Sequence, residues 1–207
     1  LSTTTIHKYM NKDLNLSAIV MRKKPGYKSC KKHKIFDNLL KQNFNVDEKN
    51  KIWCTDFTYM RQPNGKFRYN CTIMDLFDRS AIASVNSDYI NTELAIETLT
   101  EALKKEKPSN GILLHSDQGV QYTSWEFVNF CKDNGVIQSM SKAGCPYDNA
   151  PMERFYNTFK NYFYYRYTFE SVEQLDEMTK QYINWYNYVR PHSTNNYMTP
   201  MEFRYRA

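Results

Sequence analysis

The feature that most restricts how this chain can fold is a change of pattern at Ile52. From Ile52 to Met60 the residues are mostly β-branched or aromatic, Pro63-Asn64-Gly65 then supplies a hairpin turn, and Phe67–Met74 is a second run of the same kind. Leu76-Phe-Asp-Arg79 makes another tight connection and Ser80–Val85 a third strand. The period next becomes helical. Asn91 can cap a helix from Thr92 to about Lys107, with Leu94, Thr98, Leu99, Ala102 and Leu103 on its inner face. Gly111-Ile-Leu-Leu-His115 reads as a short buried strand. Thr123 and Ser124 open a helix over Trp125–Asn134, Gly135 ends it, and Val136–Met140 reads as a fifth strand. A final helix near Ser171–Val189 carries Val172, Leu175, Met178, Tyr182, Trp185 and Val189 at helical spacing. Three antiparallel strands followed by alternating helices and strands imply an α/β fold: a mixed five-stranded sheet covered on both faces. Such sheets place ligands at the carboxyl ends of strands, and Asp117 follows one.

The region before Ile52 is different. Residues 1–21 read as the end of a helical, helix-turn-helix-like DNA-binding segment, with Ile6, Tyr9 and Met10 on one face. Because the chain opens at Leu1 and Ser2-Thr-Thr-Thr already reads as a helix start, a longer parent protein is expected. Residues 22–50 form a basic linker arm, in which Pro25-Gly26 interrupts any helix. Arg22, Lys23, Lys24, Lys28, Lys31, Lys32 and Lys34 fall within thirteen residues, and no acid occurs from Leu14 to Phe36. Without those seven side chains, 21 basic residues face 22 acidic ones, so the net charge of +6 belongs to the arm. A run of this kind either attracts a polyanion, most often nucleic acid, or serves as a solvated linker. The remaining boundaries are read as 51–170 for a catalytic core and 171–207 for a C-terminal helix and tail.

Cysteines 30, 54, 71, 131 and 145 are odd in number and lack a C-x-x-C pair, which excludes a zinc knuckle or disulfide framework and implies reduced, mostly buried thiols. No apolar run reaches the roughly 18 residues of a membrane span, and no signal peptide opens the chain. A cytoplasmic protein is expected.

Three acids carry the chemical argument, and each has a plain structural alternative. Asp56 lies in an apolar strand between Trp53 and Phe57, where a charge needs a donor, a cation or a metal. Asp117 follows a buried strand, where Gly119 lets the backbone turn sharply, and could be a turn residue. Glu153 is placed in the first turn of a helix begun by Pro151, where the dipole favours a carboxylate without any function. Together they suit phosphodiester exchange. That chemistry needs an activated oxygen nucleophile and a stabilised alkoxide leaving group, and two hard cations about 4 Å apart serve both needs. Asp75 and Asp78 read as turn residues with Arg79 as ion partner, and His115 as a packing residue. The aromatic run Phe159–Phe169 could stack bases but reads more simply as core packing. Ser141–Asn149, a loop with Gly144 and Pro146, is expected to be the mobile part of the core.

The segments around these acids resemble a known family. Trp53-Cys-Thr-Asp56-Phe-Thr-Tyr59, Asp75-Leu-Phe-Asp-Arg79, His115-Ser-Asp117-Gln-Gly-Val-Gln-Tyr122, Gly144-Cys-Pro-Tyr-Asp-Asn-Ala-Pro-Met-Glu153 and Tyr186-Asn-Tyr-Val-Arg190-Pro-His192 are similar to the integrase core of insertion-sequence transposases, closest to the IS-three family. The resemblance covers about Asn43 to Phe203, and the 35 residues between Asp117 and Glu153 match the spacing of that family and of retroviral integrases.

The resemblance implies an RNase-H-like fold with Asp56, Asp117 and Glu153 as catalytic metal ligands, magnesium as the cofactor and manganese as a substitute. It implies that Lys160, two turns beyond Glu153, contacts DNA near the cut, with Asn157 beside it on that face. The partners it implies are transposon terminal inverted repeats, target DNA and further copies of the chain, as a homodimer or higher oligomer. The activity implied is cleavage of one strand at the element end, followed by attack of the freed 3′-hydroxyl on another phosphodiester. A nuclease of the same fold that hydrolyses without joining is one rival. The other is a DNA-binding assembly subunit without catalysis.

Overall fold

The computed structural model describes residues 2–16, 34–62, 64–109 and 111–206, and the chain divides into two compact units, Leu1–Cys30 and Lys31–Ala207. In the first, Ser2 caps a short helix α1 (Thr3–Lys8) by accepting from the Thr5 amide at 3.2 Å, and a wider turn continues it over Tyr9–Asp13. Ile6, Tyr9 and Met10 are exposed, so the expected apolar face is not buried within this unit. Of the arm, Arg22, Lys23, Lys24, Lys28, Lys31 and Lys32 lie outside the described residues. Lys34 is described, with its ammonium 4.9 Å from the centre of the Phe36 ring.

In the second unit, strands β1 (Ile52–Arg61), β2 (Phe67–Asp75) and β3 (Ala81–Ser87) form an antiparallel meander. The first hairpin closes through Gln62, whose amide donates to the Lys66 carbonyl at 2.8 Å, with Gly65 at φ +82. Helix α2 (Thr92–Glu106) follows, and the Asn91 side chain caps it by accepting from the Leu94 amide. Strand β4 (Ile112–Ser116), a one-turn helix α3 (Val120–Thr123), helix α4 (Trp125–Asp133) and strand β5 (Val136–Met140) complete the α/β part. The sheet order is β3-β2-β1-β4-β5, with β4 parallel to both β1 and β5. Helices α5 (Ala150–Tyr162), α6 (Val172–Tyr188) and α7 (Pro200–Arg206) close the chain.

Side chains alternate across a strand, and here both faces are buried. Trp53, Ile73, Ile82, Ile112 and Leu114 pack with Leu99 and Phe127 on the α2/α4 side. Cys54, Met60, Met74 and Ala81 pack with Met152, Phe155, Phe159 and Tyr182 on the α5/α6 side. The result is a sheet between two helical layers, as expected. The phase of α6 differs from expectation: Leu175, Thr179, Tyr182 and Tyr186 are buried, whereas Val189 is exposed and Trp185 sits at the rim. Polar Thr179 takes a core position because its hydroxyl donates to the Leu175 carbonyl at 2.7 Å, which satisfies it within the helix.

Asp75 and Asp78 also find an unexpected partner. Both are sealed around Arg204 of α7, which pairs with Asp75 at 3.0 Å and also with Asp78 and Glu106. Arg79 instead donates to the Phe44 carbonyl at 2.8 Å. It adopts φ +64 in the turn, and its guanidinium forms no ion pair with either aspartate. Cys54, Cys71 and Cys131 are buried free thiols, as expected; burial pushes Cys71 up to about 11 and Cys131 up to about 12. Cys145 is free and exposed.

Candidate active site

The site is built on the parallel pair β1 and β4. Their register ends at Cys54 with His115; Asp56 lies two residues further along β1, and Asp117 two residues further along the chain, just past the end of β4. Alternation puts Asp56 on the same face as Cys54 and Met60, the face covered by α5 and α6. Asp56 is half-buried, with one carboxylate oxygen accepting from the Phe57 amide at 2.7 Å; Asp117 is exposed. A buried phenol reports on both. Tyr122, hydrogen-bonded to Thr55 at 3.0 Å, is raised well above the tyrosine range, first by burial and then by Cys71 and by the Asp56 charge, with Asp117 adding to it.

Gly119 matters here for space rather than for backbone freedom. Its φ is −58, open to any residue, so the expected sharp glycine turn is not its role. The Asp117 carboxylate accepts from the Gly119 amide at 2.8 Å, and a Cβ at Gly119 would stand 2.9 Å from that same oxygen.

Helix α5 runs along β1 and is tied to it at successive levels. Asn149, just before the helix, donates to the Thr55 carbonyl at 3.1 Å, and Tyr156 donates to the Asp56 carbonyl at 2.9 Å. Lys160 places its ammonium 4.4 Å from the centre of the Tyr59 ring, a cation–π contact. Tyr164 then bonds both the amide and the carbonyl of Arg61. Glu153 lies in sequence between the two anchors nearest Asp56, Asn149 and Tyr156. Glu153 and Asn157 are exposed and Lys160 is half-buried, and their spacing of four and three residues puts them on one face. Among the described residues, no three acidic, histidine or cysteine side chains are gathered closely enough to hold a metal ion, so Glu153 is not drawn into a ready cage with the two aspartates.

His115 is fully buried, its ring nitrogens 2.9 Å from the Ser139 hydroxyl and 3.1 Å from the Ser141 hydroxyl. Burial lowers its pKa to about 4, so it is neutral and packs the strand end, as expected. Phe159, Phe163 and Phe169 are core residues, whereas Tyr162, Tyr165 and Tyr167 of the same run are exposed. Arg190 reaches His192 at 2.9 Å and lies over the Tyr186 ring, so the Arg190-Pro-His192 segment folds back against α6. Sequence reasoning missed Tyr122, Tyr156 and Asn149. The only signal for Tyr156 was its place three residues after Glu153, one turn along the same helix, where it is buried and reaches the Asp56 carbonyl.

Comparison with known proteins gives a consistent picture. Residues 46–146 and 134–200 match two family models, each described as an integrase core domain. Over 167 residues, 80% of the chain, the sequence is 35% identical to the transposase for insertion sequence element IS904 of Lactococcus lactis. The chain spans 66% of that relative, just under two thirds of its length. It is also 35% identical to a transposase-like protein of Haemophilus influenzae, covering 82% of this chain and 78% of that one. The fold resembles the integrase catalytic core domain of HTLV-2 in complex with magnesium, in its trimeric form, with a TM-score of 0.60 and 16% identity over 76% of this chain and 97% of that one. The architecture is the RNase-H-like one of retroviral integrase cores. Among the described residues, no helix is long and apolar enough to cross a membrane.

Proposed function

This chain belongs to the IS-three family of insertion-sequence transposases, and we infer that it cuts the phosphodiester backbone at transposon ends and joins the freed end to target DNA, using Asp56, Asp117 and Glu153 with divalent metal. The observation that carries this reading is that Asp56 and Asp117 each follow by two residues the last paired positions of the parallel strands β1 and β4, Cys54 and His115, while the Glu153 helix is docked along β1. The donor set fits the ion. Magnesium and manganese take hard oxygen ligands and keep several waters, so three carboxylates suffice. When bound, a pair of such ions activates the attacking oxygen and neutralises the leaving one.

Each residue has a task in this reading. Asp56 and Asp117, held by the sheet, supply the fixed side of the ion site. Glu153, exposed in a first helical turn, supplies the adjustable side and completes the set when DNA arrives. Lys160 and Asn157 continue the Glu153 face and meet the DNA backbone beside the cut. Arg22, Lys23, Lys24, Lys28, Lys31, Lys32 and Lys34 grip phosphates without reading sequence. The substrates are terminal inverted repeats and target DNA, and the working form on DNA, in the cytoplasm, is a dimer or larger.

The test is Asp117→Asn assayed on uncut and on precut transposon ends with magnesium or manganese. Loss of both cleavage and joining, with DNA binding retained, is expected. Cutting at the wild-type rate, or full activity in excess chelator, would overturn the mechanism. Hydrolysis by the wild type without strand transfer from a precut end identifies the nuclease instead.

A further inference from the structure

A second carboxylate in the same region has a different environment. Asp148 is buried in the short turn Pro146–Asn149, which runs directly into α5. One of its oxygens accepts from the Gln42 side-chain amide at 2.7 Å and the other from the Lys142 backbone amide at 2.9 Å, with the Asn38 side chain as a further donor. These donors, Gln42 first, hold the Asp148 carboxyl below the usual aspartate range. Lys142 opens the loop that follows β5, while Asn38 and Gln42 belong to the irregular strap that precedes β1.

The strap is built to deliver Gln42. The amides of Leu39 and Leu40 both donate to the Ser139 hydroxyl of β5, at 2.9 and 3.3 Å, and the Lys41 amide donates to the Asn38 side chain at 2.8 Å. Lys41 and Gln42 then adopt φ +48 and +59, left-handed conformations that side chains rarely take. Two successive residues stay in such a conformation only where surrounding contacts over-determine it. Ser139 also bonds His115, two residues before Asp117, and the other ring nitrogen of His115 meets Ser141 at the head of the loop. The loop is thereby fixed at both ends, and its centre, Lys142–Tyr147, is exposed.

We propose that Asp148 is a positioning residue, a clamp between Gln42 of the strap and the Lys142–Asn149 loop that sets how α5 presents Glu153 to Asp56 and Asp117. The clamp rests on the reading of Glu153 as a catalytic ligand. It also links the strap that follows Lys34 to the helix that carries Glu153.

The bond's polarity makes it testable. Asp148→Asn leaves only one acceptor oxygen for the Gln42, Lys142 and Asn38 donors, and Gln42→Glu sets two carboxylates against each other. The double variant Gln42→Glu/Asp148→Asn restores the pair with donor and acceptor exchanged, while the Lys142 amide keeps its acceptor. In the full chain, each single variant is expected to slow single-turnover cleavage at saturating DNA by about 10- to 100-fold, the scale of a small misplacement of a reacting group. DNA affinity and melting temperature stay near wild type, and the double variant regains most of the rate. Hydrogen exchange of amides 141–149 in the free protein is expected to quicken about tenfold or more in each single variant and to recover in the double. Wild-type rates in both single variants would overturn the clamp, as would a double variant with wild-type melting but no recovery. Exchange separates this proposal from the functional reading: if Asp117→Asn proves active, that reading fails, yet unaltered exchange in Asp148→Asn alone sinks the clamp.

Discussion

Two groups of acids sit on this one sheet, and they differ in what surrounds them. Asp75, Asp78 and Glu106 close around Arg204, with both aspartates fully buried and further held by the Asn50, Phe77 and Ser80 amides. Asp56 in β1, Asp117 just after β4 and Glu153 in α5 stay half-buried or exposed. The first group is electrically closed by the chain itself, and its function is to fasten α7 to the sheet. Three carboxylates around one guanidinium still leave an excess of negative charge, and burial together with Asp78 pushes the Asp75 carboxyl up. The second group is not sealed in this way: Asp56 is half-buried, and Asp117 and Glu153 are exposed. The difference teaches that acidic residues alone do not mark an active site, because the fold can spend them on fastening its own elements.

Removing a partner from the closed group should produce the largest change in stability. Arg204→Met strands two buried carboxylates, and breaking a buried pair from one side costs about 3–5 kcal/mol. Urea unfolding of this variant is expected to show that loss, while Asp117→Asn unfolds near the wild-type midpoint because Asp117 is exposed and an asparagine oxygen can still accept from the Gly119 amide. Equal losses in the two variants would erase the distinction between closed and open acids.

Much of the framework was legible because it depends on neighbours in sequence. The strand runs, the Asn64-Gly65 turn and the caps at Asn91 and Ser124 act over three or four residues, and all appear where the pattern put them. The acids were legible as a set only through the motifs around them, since Asp56, Asp117 and Glu153 individually resemble ordinary strand, turn and helix-start residues. What escaped depends on distant partners. Arg79 stands beside Asp78 in sequence, yet the ion partner is Arg204, more than a hundred residues away, because α7 returns to the sheet. The phase of α6 was misread for a related reason: Tyr186 is claimed by Phe155 and His192, whereas Val189 lies beyond the helix end. Gly119 looked like a turn glycine, and only the position of the Asp117 oxygen reveals a packing requirement.

A smaller effect should come from the tail that the closed group secures. His192 is buried against Tyr186, and burial, with Arg190 and Arg79 adding to it, lowers its pKa to about 4 from an ordinary 6.5. Its folded-state pKa is depressed, so the unfolded chain binds the proton first. The contribution to stability is therefore complete above pH 6.5 and is lost as pH falls toward 4. Each tenfold change in proton affinity is worth about 1.4 kcal/mol, so the loss approaches roughly 3 kcal/mol. His115 behaves in the same direction, which makes the variant comparison necessary. The drop in unfolding free energy between pH 6.5 and 4 should be about half as large in His192→Asn as in the wild type. An unchanged drop would show that the tail's packing does not keep this ring neutral.

The smallest effect should come from the open group, and it tests the comparison most directly. If Asp56 and Asp117 come close enough to share an ion, they should hold a divalent ion weakly even without DNA, since two carboxylates and water satisfy much of an octahedral shell. A ligand that binds only the folded state stabilises it by RT ln(1 + [L]/Kd), so an ion present at several times its Kd adds about 1 kcal/mol. For a unit of this size that raises the melting temperature by roughly 2–4 °C. Magnesium or manganese in the millimolar range should therefore shift melting of the wild type, and leave Asp117→Asn unmoved. The closed group supplies the internal control, because Arg204 already occupies the centre that an ion would need. A shift that survives in Asp117→Asn would move the ion elsewhere on the surface. No shift in the wild type would mean that the two aspartates need the Glu153 helix and DNA before they can act as ligands, and the open group would then be incomplete rather than merely unfilled.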